Sequence, residues 1–421
     1  MLHTKNLNYT ISLILLAIAC IACDLKNTDN QAEKDVVSPT LGIWRMQMDL
    51  GGKQLPFNFS LDKKATGYEM VIMNADEKIV VNDIEQKADS LYIKMPVFES
   101  EFHLSISDSS TLKGEWINFY KGPDYRISVV AEHGKSFRFS QEHEDFMKDV
   151  SGKYEVTFTE ENGDSFPAIG LIKQAGNDIS GTFATETGDY RHLDGNFIND
   201  SLFLSTFDGS HAFLFEAENQ DSIIKGTFWS GTHYKADWLA KRNPKAGLRN
   251  PDSLTFLKEG YERFAFALPN ENGDTISLQD KTFQNKVTIV QIMGSWCPNC
   301  LDETKYLSSL HEKYNPSGLE VVAISFERTR SKEQAIKNLN SLQTKTKAPY
   351  PFLLAGWNRD TKATDVLPML NHVMSYPTAI FIDKKGIVRK IHTGFYGPGT
   401  GEYYERFTTE TEAFIEKLLA E

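Results

Sequence analysis

One apolar run that leads directly into a pair of cysteines constrains this fold more than any other feature. The run is Val287–Met293, and Cys297 and Cys300 follow it after a few residues. A continuous β-branched stretch of this kind is typical of a strand buried on both faces of a sheet. The next segment, up to Tyr314, repeats its apolar residues at helical spacing. The pattern predicts an α/β domain with both cysteines at a strand-to-helix junction.

A cysteine at such a junction is suited to thiol chemistry. The unpaired backbone N–H groups and the positive dipole end of a helix stabilise an anionic sulfur. Cys300 lies one helical turn after Cys297, close enough for a disulfide, while Cys297 stays open to attack partners. Zinc is the alternative, but a closed zinc site needs four ligands, and the folded part of the sequence has neither another Cys-X-X-Cys nor a spaced His pair. We predict a redox pair, with no metal and no organic cofactor.

The other two cysteines, Cys20 and Cys23, lie at the end of a short apolar N-terminal run. The run follows Lys5 and is too short to span a bilayer comfortably, as in a secretory signal peptide. Cys23, preceded by Ala22, resembles the lipid-modified cysteine of a bacterial lipobox, and Cys20 is the competing site. We predict a signal peptide over residues 1–23 with lipidation at Cys23. Cleavage without lipid and an uncleaved anchor are the alternatives.

The polar residues 24–40 are predicted to form a flexible tether. We expect a membrane-anchored lipoprotein of the bacterial cell envelope, facing the periplasm, with membrane lipid as one partner. The net charge of -12 would repel a phosphate backbone, which argues against nucleic acid as a partner.

Residues 41–242 consist of short alternating apolar stretches separated by turn residues, which predicts antiparallel β structure. Several pieces recur in order at a spacing of about 110 residues: Gly42-Ile-Trp with Gly152-Lys-Tyr, Asp89-Ser-Leu with Asp200-Ser-Leu, and Leu112-Lys-Gly with Ile224-Lys-Gly. The recurrence suggests two related units, residues 41–140 and 150–242. They could form separate sheets or pool their strands into one barrel or sandwich. Trp116, which aligns with Phe228, is predicted to be a core residue in preference to a ligand-stacking one.

A chain of 421 residues is expected to form more than one domain. Pro and Gly residues mark 243–262 as a linker, which we predict to carry a short helix around Ser253 to Glu259. Residues 263–421 then read as strand, helix, strand, helix, hairpin and helix, with an inserted strand and helix between Tyr350 and Leu370 and a final helix near Thr408 to Leu419. The predicted fold is therefore multidomain, with a β-rich N-terminal region and a C-terminal α/β domain.

From about Phe264 to Glu421 the sequence resembles the TlpA/ResA group of membrane-tethered thioredoxin-like proteins. The resemblance is carried by Trp296-Cys-Pro-Asn-Cys300, by Glu303, and by Tyr376-Pro-Thr before a second apolar strand. It implies a thioredoxin-like fold with a cis peptide bond before Pro377. It also implies catalytic roles for Cys297, Cys300 and Glu303, and contact with the substrate for Trp296, Pro298, Tyr376 and Pro377. Two positions depart from the group's pattern: Gln291 in a strand end that is often Phe-rich, and Lys305 where proline is common.

The resemblance implies a thiol-disulfide oxidoreductase that reduces disulfides of exported proteins, apocytochromes among the candidates, and draws electrons from a transmembrane thiol reductase. Oxidase or isomerase activity uses the same chemistry in another direction. A different class of function is a ligand-binding or assembly lipoprotein, in which the β region does the work and the redox domain is an accessory.

Overall fold

The computed structural model of the chain describes residues 36–141 and 148–421. The predicted signal peptide, Cys20, Cys23 and most of the predicted tether lie outside the described residues. Within the described part, residues Val37–Glu421 pack as one unit. No helix there is both long and apolar enough to cross a membrane.

The first β unit is an open sheet of nine antiparallel strands, in the order β4-β3-β2-β1-β9-β8-β7-β6-β5. Its alternating apolar residues, such as Met46 and Met48, point into one core. The strands are β1 Gly42–Asp49, β2 Gln54–Lys64, β3 Gly67–Asn74, β4 Glu77–Val81, β5 Asp83–Lys87, β6 Ser90–Lys94, β7 Ser100–Asp108, β8 Thr111–Asn118 and β9 Arg126–His133.

The second β unit also has nine strands, and it closes on itself because β12 pairs with both β11 and β14. Its order is β11-β10-β18-β17-β16-β15-β14-β12-β13. The strands are β10 Gly152–Glu160, β11 Ser165–Ala175, β12 Asp178–Thr185, β13 Gly188–Asp189, β14 Leu193–Ile198, β15 Ser201–Phe207, β16 Ala212–Gln220, β17 Ile223–Ser230 and β18 Tyr234–Arg242.

The two units repeat one topology, since each strand of the first corresponds to the strand nine places later in the second. The recurring sequence pieces fall on matching strands: β1 with β10, the starts of β6 and β15, and β8 with β17. The glycines of the third pair are needed for close strand contact. A Cβ on Gly114 would lie 1.9 Å from the carbonyl oxygen of His103, and one on Gly226 would lie 2.1 Å from that of Glu216. The strands of the two units pair in two separate sheets and are not pooled into one barrel or sandwich.

Aromatic side chains join the two units. Phe207 of β15 belongs to the core of the first unit and stacks on Phe57 with a centroid distance of 4.7 Å. Trp116 is 1% exposed and packs edge-on against Phe207, and Phe228 is equally buried in the second core. Both are core residues, as predicted.

The predicted helix at Ser253 to Glu259 is wrong. The structure has a 3-10 turn at Pro251–Ser253, started by the Asn250 side chain, which accepts from the N–H of Asp252. Leu257 then forms an antiparallel bridge with Leu370. Pairing with a distant segment overrides the local helical preference here.

The C-terminal part is a five-stranded sheet in the order β23-β22-β21-β24-β25, with helices packed on it. Strands β22 and β23 run parallel to the central β21, β24 runs antiparallel to β21, and β25 runs antiparallel to β24, as in a thioredoxin-like domain. The elements are the hairpin β19 Ala267–Pro269 and β20 Thr275–Ser277, then β21 Val287–Met293, α1 Pro298–Tyr314, β22 Leu319–Phe326, α2 Lys332–Thr346, β23 Phe352–Gly356, α3 Ala363–Val366, β24 Thr378–Ile382, β25 Val388–Thr393 and α4 Glu402–Ala420. The predicted order of elements holds, although the last helix begins earlier than predicted.

Candidate redox site

Cys297 is the N-cap of helix α1, directly after the buried strand β21. Its Sγ accepts from the backbone N–H of Cys300 at 3.2 Å and donates to the carbonyl oxygen of Tyr376, also at 3.2 Å. The residue is 6% exposed. The sulfur therefore sits at the helix N-terminus, where a backbone N–H points at it.

Cys300 lies inside the first turn of α1 and is fully buried. Both cysteines are free thiols in this structure. Burial raises the pKa of the Cys300 thiol well above its usual value, and the neighbouring Cys297 and Glu303 raise it further. The two cysteines therefore differ: Cys297 keeps a small accessible area, whereas Cys300 is fully buried and its raised pKa favours the thiol.

Glu303, one turn further along α1, is 1% exposed, and neither of its carboxylate oxygens has a hydrogen-bond partner at ordinary distance. Burial raises the pKa of this carboxyl to about 8, although the nearby Gln291 amide offsets part of the shift. A buried acid with this pKa exchanges a proton near neutral pH. Its charge also acts on Cys300.

Gln291 of β21 ties the helix to the sheet beneath the cysteines. It is fully buried, its Nε2 donates to the carbonyl of Cys300 at 3.3 Å, and its Oε1 accepts from Thr304 at 3.1 Å. The sequence showed Gln291 only as a departure from the family pattern. A polar residue in an otherwise apolar central strand was the signal for this role.

The cis-proline loop faces Cys297 from the other side. The Tyr376–Pro377 peptide bond is cis, as the resemblance implies. The Tyr376 ring meets Trp296 edge-on at a centroid distance of 5.6 Å. The structure thus brings Trp296, Cys297, Tyr376 and Pro377 together.

Arg328 also lies beside Trp296, and no sequence motif predicted this position. Its guanidinium lies 3.3 Å from the ring centroid of Trp296, whose Nε1 donates to the carbonyl of Phe326 at 2.9 Å. Burial and Arg359 lower the pKa of Arg328, whereas Cys297 acts in the opposite direction. A permanent positive charge therefore lies near the nucleophilic sulfur.

Loops of the second β unit cover the opposite side of the motif. Ser210 Oγ donates to the carbonyl of Trp296 at 3.0 Å, and Arg191 donates to the carbonyl of Pro298 at 3.2 Å. The Asn299 amide in turn donates to the carbonyl of Asp189 at 3.3 Å. Three positions around the cysteines, Trp296, Pro298 and Asn299, are thus held by the β region.

Arg191 is the centre of this contact. It is buried and forms ion pairs with Asp302 of α1 and Glu77 of the first β unit, with Asp208 at 3.4 Å. Burial opposes its charge, but the three carboxylates outweigh this effect and raise the pKa of Arg191 well above its usual value. One side chain links both β units to the redox helix.

The first β unit approaches the motif through Tyr120. The hydroxyl of Tyr120 lies 3.3 Å from Ser295 Oγ, and its carbonyl accepts from Arg359 at 2.8 Å. Ser295 donates its N–H at 2.8 Å to Glu327, a buried acid whose pKa is raised by burial.

No group of three or more His, Cys, Asp and Glu side chains within residues 36–141 and 148–421 is placed to hold a metal ion.

Comparisons with known proteins agree with this chemistry. The AhpC/TSA family matches residues 260–391. Thiol-disulfide oxidoreductase ResA of Bacillus cereus (strain ZK / E33L) is 30% identical over 136 residues, which cover 32% of this chain and 70% of that protein. Thioredoxin-like protein YneN of Bacillus subtilis (strain 168) is 29% identical over 140 residues, 33% of this chain and 73% of that protein. A solved structure of a secreted thiol-disulfide isomerase from Corynebacterium glutamicum aligns with 42% of this chain and 99% of its own, at 19% identity and a TM-score of 0.31.

The segment that the family model matches contains Cys297, Cys300 and the cis-proline loop, whereas both β units lie outside it. The site and the relatives indicate the same reaction, carried by the C-terminal domain. The chain belongs to the TlpA/ResA-like family of thioredoxin-fold thiol-disulfide oxidoreductases.

Proposed function

We propose that this enzyme reduces disulfides of exported proteins, with Cys297 as the nucleophile and Cys300 as the resolving thiol. The observation that carries the assignment is the asymmetry of the pair. Cys297 caps the helix and keeps a small accessible area, 6% of the residue, while Cys300 has none. Only the first sulfur is placed to meet a disulfide in another protein.

In the first step, the Cys297 thiolate attacks one sulfur of the partner's disulfide. The partner's S–S bond breaks, a mixed disulfide forms, and one partner thiolate leaves and takes up a proton. Cys300 then attacks Cys297, which releases the second partner thiolate and forms the Cys297–Cys300 disulfide. Two electrons have passed to the partner. A dithiol donor, which we propose to be a transmembrane thiol reductase, returns them.

Glu303 is proposed to handle the proton of Cys300. The raised pKa of Cys300 keeps it a thiol until the mixed disulfide forms, so it must lose a proton to attack. The pKa of Glu303, about 8, leaves both forms of its carboxyl populated near neutral pH. Its ionised form accepts the proton, and its neutral form returns it when the enzyme is reduced again.

Trp296, Pro298, Tyr376 and Pro377 are proposed to form the partner-binding site around Cys297. Trp296 and Tyr376 are partly exposed and border the sulfur, which supports their role. Pro298 is buried, and its carbonyl is already held by Arg191, so its contribution is to the shape of the site.

Attachment to the membrane is proposed through Cys23. The support is the lipobox-like Ala22-Cys23 at the end of the apolar N-terminal run. Such an anchor would place the enzyme in the cell envelope, facing the periplasm. Labelling with a radioactive fatty acid tests this: label should persist in Cys20→Ala and vanish in Cys23→Ala, and the reverse result would move the site to Cys20.

A trapping experiment tests the central proposal. Cys300→Ser lacks the resolving thiol, so it should accumulate mixed disulfides with exported proteins, visible on non-reducing gels and lost on adding dithiothreitol. Cys297→Ser is the matched control and should trap nothing. An empty trap in Cys300→Ser cells, or equal adducts in both variants, would refute the assignment of roles.

The direction of electron flow has its own measurement. A reductase should have a reduction potential nearer to the roughly -270 mV of thioredoxin than to the roughly -120 mV of DsbA, measured against glutathione or dithiothreitol buffers. A value near the DsbA end would make the enzyme an oxidase.

A further inference from the structure

Three positive side chains meet beside Trp296, and we call them the cationic rim: Lys121, Arg328 and Arg359. They come from three separate loops, after β8, β22 and β23. Arg328 lies over the Trp296 ring, and Arg359 donates to the carbonyl of Tyr120, the residue before Lys121. The topology, not the local sequence, brings these charges together.

The rim has no acidic counterpart. Within the part of the chain that the structure describes, none of the three forms an ion pair. Glu99 and Glu327, the acids packed around Tyr120, are bound instead to Asn338 and to Ser295. A protein with a net charge of -12 thus keeps unpaired cations next to its redox cysteine.

The electrostatics of Lys121 reflect this lack of compensation. Burial, Arg328 and Arg359 lower the pKa of Lys121 to about 8. Its Nζ lies 3.0 Å from Nε2 of His233, a residue whose own pKa is lowered to about 4 by burial and by Lys121. The partner of Lys121 is therefore a neutral imidazole, and a negative group at the rim would relieve the repulsion.

The rim lies on the Trp296 side of Cys297, whereas the second β unit covers the start of α1. On the other side, Ser375 donates to the carbonyl of Thr187 at 2.6 Å, and the N–H of Gly397 donates to Asp189 at 2.5 Å. Together with the contacts of Arg191 and Ser210, these bonds hold the second β unit against Ser375, Gly397 and the start of α1. A partner that contacts Trp296 and Tyr376 beside Cys297 therefore also meets Arg328.

We propose that the cationic rim selects substrates whose disulfide is flanked by carboxylates, namely an acidic segment of a partner protein. The inference rests on the proposed function and adds a substrate class to it. Complementary charge at the mouth of a site speeds encounter and orients the partner, and it weakens as salt screens it.

The test uses three synthetic disulfide peptides that differ only in the residues beside the cysteines: Glu, Gln or Lys. The full chain, kept reduced by an excess dithiol, should show a kcat/KM for the Glu peptide about tenfold above that for the Lys peptide at low salt, and the ratio should shrink at high salt. Lys121→Gln and Arg359→Gln, both at exposed positions, should each lower the ratio, and Arg328→Glu should reverse the preference.

Lys113→Gln is the matched control, an exposed lysine on β8 that is remote from the motif, and it should leave all three rates unchanged. Equal rates for the three peptides, or a preference that survives in the Lys121→Gln, Arg359→Gln double variant, would overturn the acidic-substrate proposal while leaving the redox function intact. No turnover of any peptide by the wild-type chain would overturn the proposed function, and this proposal with it.

Discussion

Two regions around helix α1 bury an ionisable side chain, and they treat it in opposite ways. Where the second β unit meets the helix, Arg191 is surrounded by Asp302, Glu77 and Asp208. Within the helix, Glu303 is buried as deeply, and its carboxylate oxygens lack hydrogen-bond partners. The first region compensates its charge completely, and the second leaves an acid uncompensated.

The difference separates a structural role from a chemical one. A buried charge with several partners fixes geometry, because removing it strands the others. A buried carboxyl without partners is costly when ionised, so it stays neutral at a pH where surface acids are charged, and it can move a proton. We infer that Arg191 holds the β region on the redox helix and that Glu303 serves the thiols.

The largest expected effect comes from breaking the compensated region. Arg191→Met should destabilise the fold by about 3–5 kcal/mol at pH 7, because the buried carboxylates of Asp302, Glu77 and Asp208 lose the cation that they share. Urea unfolding at pH 7 measures the change. The loss should be smaller at acidic pH, where those carboxylates can take up protons.

Arg249→Met is the control for this prediction. Arg249 pairs with Glu186, but its side chain is 65% exposed, so the loss should stay below about 1 kcal/mol. Equal losses in the two variants would contradict the view that the Arg191 network anchors the β region.

Elements that are determined by neighbouring residues could be predicted from the sequence. The continuous run Val287–Met293 predicted the central strand, and the family resemblance around Tyr376-Pro-Thr implied the cis bond. Spacing alone placed Cys297 at the helix start, since the cap and the Cys-X-X-Cys pattern lie within one turn. The doubled β unit was also visible, because its turn residues and strand glycines recur in order.

Long-range contacts were not predictable. Arg191 and Asp302 are more than a hundred residues apart, and a single arginine in a β-rich segment carries no periodic signal. The position of Arg328 was not predictable either, because its role depends on its contact with the ring of Trp296, which no local pattern indicates. The final helix begins at Glu402, before the predicted Thr408, because its first turn is rich in aromatic and acidic residues that mask the apolar period.

The free energy of unfolding should depend on pH through the buried carboxyl of Glu303. The pKa of Glu303 rises from 4.5 to about 8 on burial, so between these values the folded state binds a proton that the unfolded state has lost. Stability is therefore full below pH 4.5 and falls as pH rises, at up to about 1.4 kcal/mol per pH unit. Between pH 6 and pH 8 the loss due to Glu303 should be about 2 kcal/mol.

Glu303→Gln keeps the shape and removes the titration. The difference in unfolding free energy between wild type and variant isolates Glu303, because Glu327 and Asp189, which are also shifted by burial, are present in both. The variant should gain relative stability above pH 6, and its disulfide exchange should lose the step near pH 8 in the rate profile. Parallel stability curves from pH 5 to pH 9 would show that Glu303 is already compensated in the folded protein.

The smallest expected effect concerns close packing of the second β unit against the redox motif, in addition to the charge contacts of Arg191. Gly188 has φ +143°, and a Cβ there would lie 2.1 Å from Nδ2 of Asn299. Gly163 also has a positive φ, +91°, but nothing lies within 4 Å of its Cβ position. Both alanine variants carry backbone strain of about 1 kcal/mol, so the extra loss in Gly188→Ala, roughly 1 kcal/mol, measures the contact with Asn299. Gly188→Ala should also let a bulky alkylating reagent react with Cys297 faster, because the segment around Gly188 must move away from the motif. Gly163→Ala should leave the alkylation rate unchanged. Equal alkylation rates in the two variants would mean that the Arg191 network alone holds this segment in place.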